Sequence, residues 1–441
     1  MTAWATVEEL CDRHLGARPS PAALVQLKKA ERERPQMRAF LERAFQLMEL
    51  SRVRAVDIAP NQAWAIGNVI SEFLPDAWGG SIPPYTWEHR HKRIDSYIAS
   101  NPWFSAGPGT CFLEMGCGFP PKTAIDIARA HSDWRVIGAD PCFDEYLLYD
   151  EEGDYACLSR EGTVRYFHSR TGDTARFFAL YRDKAATVRR FSELFAKISE
   201  KIAMSPDGGL AQVEEDGAKL IRHPIRNYEA ANLTFVQLGI GAEFSPVDII
   251  RCFSVLGYFD AQFRKDAESW ALRTLRNGGL FLCGRDGERT TEAICSVYRR
   301  EGGKLVHKEF ALSIDNVRAF TVQPWFSIHE NSAEAWTQAK LVGLLRADAE
   351  FRDAYDARYD AMLAAKRLFV RDSAGCLIAP PEQLPQTEWI NAQEEILVEL
   401  EREGFAERAA AVFRKSGLRS WVTRIGHVAV DPADLLPAER E

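Results

Sequence analysis

The sequence predicts an α/β fold built on a mostly parallel sheet, with helical additions at both ends and a large insertion. Apolar strand runs alternate with helical patterns through the middle of the chain, and apolar residues at helical spacing dominate both ends. Residues 144–231, 88 in all, stand between the second strand run and the third, far more than a strand-to-helix connection needs.

At 441 residues the chain is long enough for two or three domains with buried cores. Charged residues at 27% and hydrophobic ones at 46% match ordinary globular chains and exclude a disordered or fibrous protein. Lys+Arg 55 against Asp+Glu 63 leaves a net charge of −8, which argues against a protein whose main task is neutralising phosphates. The nine cysteines fall singly with no C-x-x-C pair, so free thiols and no metal site are expected. The N-terminal segment carries acids where a secretory leader has a basic region, and no apolar run approaches the roughly 18 residues that cross a bilayer. A cytoplasmic location and no membrane partner are expected.

From residue 1 to 104 the spacing predicts helices, as in Phe40, Leu41, Phe45, Leu47 and Met48, and again in Ala63, Ile66, Val69, Ile70, Phe73 and Leu74. Trp78-Gly-Gly-Ser-Ile-Pro-Pro-Tyr-Thr-Trp87 then breaks the helical pattern with Gly and Pro, and its rings suit an aromatic lid. A helix over about 88–100 follows. The core, 105–330, is expected to hold strands at Cys111–Met115, Arg135–Ala139, Leu233–Leu238, Val247–Phe253 and Gly279–Cys283, with helices near 121–130, 261–276 and 288–301. Strand runs near 304–313 and 317–328 lie too close for a parallel crossover and are expected to be antiparallel. Inside the insertion, Asp154–Leu158 and Thr163–His168 predict a hairpin, followed by a long amphipathic helix with Phe177, Leu180, Tyr181, Val188, Phe191, Leu194, Phe195 and Ile198 on its apolar face. Residues 331–441 are expected to be mainly helical, with a hairpin-like stretch at Arg367–Ile378.

The segment richest in chemistry is Thr110-Cys-Phe-Leu-Glu-Met-Gly-Cys-Gly-Phe-Pro-Pro-Lys122: an apolar strand ending in an acid, then Gly-x-Gly, then a helix start. Gly116 and Gly118 let the backbone turn sharply beneath a ligand, and the helix start offers free N–H groups to a carboxylate or phosphate. Asp140 ends the second strand 22 residues beyond Gly118, where a carboxylate can take both hydroxyls of a ribose. A dinucleotide fingerprint needs a third glycine, and Pro121 stands in its place, which demotes nicotinamide and flavin cofactors.

With its acid-x-Gly-x-Gly strand end and the acid closing its second strand, the chain resembles class I S-adenosylmethionine-dependent methyltransferases. Pro246-Val-Asp-Ile-Ile-Arg-Cys-Phe-Ser-Val-Leu-Gly-Tyr-Phe259 and Leu272-Arg-Thr-Leu-Arg-Asn-Gly-Gly-Leu-Phe-Leu282 resemble that family's fourth strand and its helix-to-fifth-strand turn. The resemblance covers about 105–143 and 232–330. It implies a Rossmann-like sheet with terminal antiparallel strands and S-adenosylmethionine as cofactor. Glu114, Gly116 and Gly118 would line the amino-acid part and Asp140 would hold the ribose, with Cys117, a small packing residue beside them, Pro141 and Phe253 counted among the cofactor-binding residues. Where many members place an acid or amide for adenine, this chain reads Gln237-Leu-Gly-Ile-Gly-Ala-Glu243, which leaves the adenine contact open.

The resemblance leaves the acceptor to be argued from residues. Arg251-Cys-Phe-Ser254 stands where the family's amino-group methylators of nucleic acids carry Asn/Asp-Pro-Pro-aromatic, so DNA is disfavoured. A small-molecule acceptor at O or N is expected, with protein or RNA methylation and a non-catalytic cofactor-binding scaffold as alternatives. Arg251 suits a clamp for a substrate carboxylate or, equally, an internal ion pair with Asp140 or Asp248. His89, beside His91, is a candidate general base, the alternative being a solvated basic helix start. Trp78, Tyr85, Trp87 and Trp103 suit pocket walls or packing, and the insertion suits a lid or a homodimer surface.

Overall fold

The computed structural model describes residues 5–31, 35–67, 86, 88–143, 146–169, 176, 179–181, 183–203, 212–287, 291, 293–318 and 333–435. The chain forms an α/β protein in two compact units: a smaller one, Glu72–Glu88 with Pro108–Ala242, and a larger one, Met1–Ser71, His89–Gly107 and Glu243–Glu441.

The smaller unit contains eight strands among its described residues: β1 (Cys111–Met115), β2 (Arg135–Asp140), β3 (Tyr146–Tyr149), β4 (Asp154–Leu158), β5 (Val164–Ser169), β6 (Gln212–Glu215), β7 (Ala218–Arg222) and β8 (Leu233–Gln237). β1, β2 and β8 run parallel, with Cys111 opposite Arg135 and Val136 opposite Leu233. Every residue of β1 and five of the six in β2 are buried, which is why they read as apolar runs without alternation. The helix Lys122–Ala130 connects β1 to β2 and buries Ala124, Ile127 and Ala128.

The insertion is more than a hairpin and a helix. β4 and β5 pair antiparallel as expected, but β3, β6 and β7 join them in a five-stranded sheet ordered β5, β4, β3, β7, β6. At the β4–β5 turn Gly162 takes φ 85°, and a Cβ there would meet the Phe195 ring at 2.6 Å, so the helix Lys184–Ala203 packs where only glycine leaves room. That helix buries Phe191, Phe195 and Ile198, as its apolar spacing predicts; Phe177 lies outside the described residues.

In the larger unit β9 (Val247–Phe253) and β10 (Leu275–Arg285) are parallel, joined by the helix Ala261–Thr274, whose N-cap Asp260 accepts the Phe263 N–H. β11 (Ile294–Glu301) and β12 (Lys304–Leu312) continue the sheet antiparallel. Here the structure corrects the sequence reading. The helix expected over 288–301 is a strand from Ile294 onward, because Ile294, Cys295, Ser296 and Val297 are all buried between β10 and β12. The tight antiparallel pair therefore falls one element earlier than 304–313 with 317–328, and residues 319–328 lie outside the described residues.

The C-terminal region carries the helices Ala333–Ala347, Ala349–Ala365, Gln386–Arg402 and Phe405–Lys415. The hairpin of β13 (Val370–Arg371) and β14 (Leu377–Ile378) matches the stretch read at Arg367–Ile378. β15 (Ser420–Val422) and β16 (Val428–Val430) were not foreseen. They complete the unit's sheet order β9, β10, β11, β12, β16, β15. The helices bury Leu341, Tyr355, Ile396, Leu397 and Phe413 in one cluster with Phe310, Val428 and Val430 of the sheet. The N-terminal region is helical at Pro21–Lys28 and Pro35–Leu50, and the helix expected at 88–100 spans Lys92–Ala99 after a turn. Trp78, Tyr85 and Trp87 lie outside the described residues.

Candidate functional site

In the smaller unit the turn after β1 has the conformation its glycines predict. Gly116 takes φ 73° and Gly118 φ 68°, a region that costs a residue with a Cβ about 1–2 kcal/mol. The N–H groups of Gly116 and Cys117 both donate to the Ala139 carbonyl, at 2.8 and 3.2 Å, lacing the turn to the end of β2. Glu114 is buried and accepts the Thr123 hydroxyl at 3.2 Å. Asp140 is buried and accepts the Cys142 N–H at 3.0 Å. Burial pushes its carboxyl up to about 6, against hydrogen bonds from the Cys142 and Gly118 backbone. Cys117 is buried, and the Pro141 carbonyl accepts the Gln237 amide at 3.0 Å.

Two polar side chains close to this turn lack hydrogen-bond partners among the described residues. His223 is buried with both ring nitrogens unsatisfied, its ring 4.6 Å from Phe119 and 5.3 Å from Phe143, and burial pushes it down to about 4. The Tyr166 hydroxyl is likewise unsatisfied. Phe119 and Pro120 form one wall of a cleft of about 910 Å³, which Tyr149, Tyr155, His168, Ile221 and the turns after β3 and β6 complete. Asp150, Glu152 and Asp154 converge closely enough for a cation, but Arg190 meets Asp150 at 3.1 Å and Arg176 meets Asp154 at 2.6 Å, supplying the countercharge. Buried carboxylates beside a glycine turn and a helix start can together take a ligand bearing hydroxyls, an ammonium and a carboxylate.

Arg251, Phe253 and His89 belong to the larger unit. Arg251 is fully buried and pairs with Asp95 of the helix Lys92–Ala99. The internal ion pair is thus present with a different acid from Asp140 or Asp248, and Asp248 pairs with Arg276 at 2.7 Å. A clamp on a substrate would have to open a buried pair. Trp103 sits beneath the Lys308 ammonium, 5.7 Å from ring centroid to nitrogen.

His89 is exposed with φ 63°, and the neighbouring segment assembles the denser constellation. His91 is buried, and its Nδ1 lies 2.6 Å from Asp286 Oδ2. Arg90 donates from Nε to Asp286 Oδ1 at 2.9 Å and from Nη2 to Ser254 Oγ at 3.1 Å. The His91 ring meets Phe253 edge-on at 5.3 Å. Burial alone would raise the Asp286 carboxyl; the His91 and Arg90 charges outweigh it and hold the group below its usual range. Ser254 follows β9 in the left-handed region at φ 54°, a non-glycine strain worth about 1–3 kcal/mol, and donates its N–H to Gly284 at 2.8 Å. Asp286 directly follows β10. An acid at the carboxyl end of a parallel strand was the signal that would have found it, and the sequence reading ended that strand at Cys283.

No family model matches the chain, and no curated protein matches it. Among the described residues no helix is long and apolar enough to cross a membrane.

Proposed function

We propose that the chain is an S-adenosylmethionine-dependent methyltransferase with a Rossmann-like sheet, acting on a small molecule at O or N. The observation that carries this reading is the glycine turn: two left-handed glycines, Gly116 and Gly118, flanking Cys117 between a buried Glu114 and a buried Asp140 at the carboxyl ends of adjacent parallel strands. The unsatisfied His223 nitrogens and Tyr166 hydroxyl support it, since buried polar atoms without partners suit a ligand that supplies them.

When bound, the sulfonium cofactor would supply an electrophilic methyl group. Gly116 and Gly118 admit it by keeping Cβ atoms out of the turn. Asp140 in its ionised form would accept hydrogen bonds from the ribose hydroxyls, Glu114 would hold the ammonium end, and Cys117 and Pro141 would contribute backbone and packing. Phe253 belongs to the larger unit, where it backs His91.

Titration calorimetry with S-adenosylmethionine and its demethylated product tests the reading. Heat with both, and none with NAD, is expected; binding of NAD alone would overturn it. A screen of small metabolites with methyl-labelled cofactor then identifies the acceptor, and tight cofactor binding without labelled product would favour a scaffold.

A further inference from the structure

We propose that His91, oriented by Asp286, is a proton acceptor for a substrate that gives up an O–H or N–H proton. The pair lies wholly in the larger unit and does not depend on the cofactor reading.

A carboxylate held below its usual range is ionised at neutral pH and can only accept a hydrogen bond. The contact of 2.6 Å therefore places a proton on His91 Nδ1, so that whenever the ring carries a single proton its lone pair is on Nε2. Nε2 has no hydrogen-bond partner among the described residues. Arg90 braces the other carboxylate oxygen and ties it to Ser254, so two strand ends and the 89–91 turn fix the imidazole. The groups facing Asp286 are Arg90, His91, His427 of the β15–β16 hairpin and Cys295 of β11.

Two other histidines of this unit, the half-buried His307 and the buried His427, show what packing alone produces. His307 is pushed down to about 4 and His427 to about 3, chiefly by burial, and neither hydrogen-bonds a carboxylate. His91 differs by having one. The strained Ser254 and Asp286 also follow the carboxyl ends of β9 and β10, where open α/β sheets bind ligands. In the proposed step the substrate's proton passes to Nε2, its oxygen or nitrogen keeps the bonding pair, and the imidazolium charge faces the Asp286 carboxylate.

Nitrogen-15 NMR of the histidine-labelled full chain, assigned with His91→Gln, tests this. The neutral ring is expected to carry its proton on Nδ1 with an unprotonated Nε2; the opposite tautomer overturns the proposal without any variant of Asp286. Diethyl pyrocarbonate followed by peptide mass mapping should acylate His91 while sparing His307 and His427. In Asp286→Asn the amide donates to Nδ1 and forces the proton onto Nε2, so acylation of His91 should slow by roughly tenfold or more. Unreactive His91 in the wild type, or an unchanged rate in a folded Asp286→Asn, overturns it. Calorimetry with S-adenosylmethionine reads the cofactor proposal separately.

Discussion

Asp140 links the glycine turn to a measurable pH dependence. Its carboxyl is pushed up to about 6, so the folded chain favours the protonated form, and that contribution to stability is lost as pH rises from the usual carboxylate range through about 6. Ribose hydroxyls hydrogen-bond best to the ionised form, which reverses the dependence for binding. S-adenosylmethionine should therefore bind about tenfold more weakly at pH 5 than at pH 7, a loss that calorimetry reads and Asp140→Asn abolishes together with most of the affinity. Gly116→Val places a branched side chain in the left-handed region and in the turn itself. Binding should vanish while circular dichroism remains native; persistent binding would mean the turn is not the site.

Two buried polar contacts tie the helix Lys92–Ala99 to the sheet of the larger unit. Tyr97 donates its hydroxyl to Glu309 of β12, and Trp421 of β15 donates its indole N–H to the other oxygen at 3.0 Å. Glu309 is fully buried, and burial pushes it up to about 7 against those two hydrogen bonds. A raised carboxyl stabilises the fold below its unfolded pKa of about 4.3, and the contribution disappears as pH rises to 7; the shift corresponds to about 3–4 kcal/mol. Thermal unfolding should show stability falling between pH 5 and 8 in the wild type, with a flatter profile in Glu309→Gln. In the second contact, Arg251→Met removes the buried countercharge of Asp95 and should cost about 3–5 kcal/mol, whereas Arg251→Met with Asp95→Leu should recover much of it. Recovery in denaturant titrations would establish Arg251 as structural; loss of substrate binding at full stability would restore the clamp.

At the scale of the whole molecule, the insertion forms one five-stranded sheet. β3 lies between β4 and β7, with Leu147 and Leu148 fully buried, and its pairing with β7 joins strands about 70 residues apart. Trimming only β4 and β5 should open an apolar edge on β3 and give aggregation in light scattering. Excising Tyr146–Arg222 in favour of a short Gly/Ser linker should retain cofactor binding and remove acceptor turnover. Unchanged turnover would show that the sheet plays no part in the acceptor site.

The sequence by itself determined β1, β2, β8 and β9, the glycine turn and the helices after β1 and β9. β1, β2 and β9 are buried or nearly buried runs that need no knowledge of their partners, β8 alternates buried Leu233 and Phe235 with exposed Thr234 and Gln237, and left-handed glycines report their own conformation. It determined less where a residue's role depends on what meets it from far along the chain. The short strands β3, β6 and β7 have little local signal, β11 is stabilised by β10 and β12, and β16 becomes a strand by pairing with β12. Arg251 could be read as a charge at a strand end, but its pairing with Asp95, 156 residues away, was settled only by folding. The same holds for His91 and Asp286, separated by 195 residues. Folding brings His91, not the exposed His89, against Asp286, because a buried ionised carboxylate requires a donor and the turn at 89–91 presents the His91 ring to it.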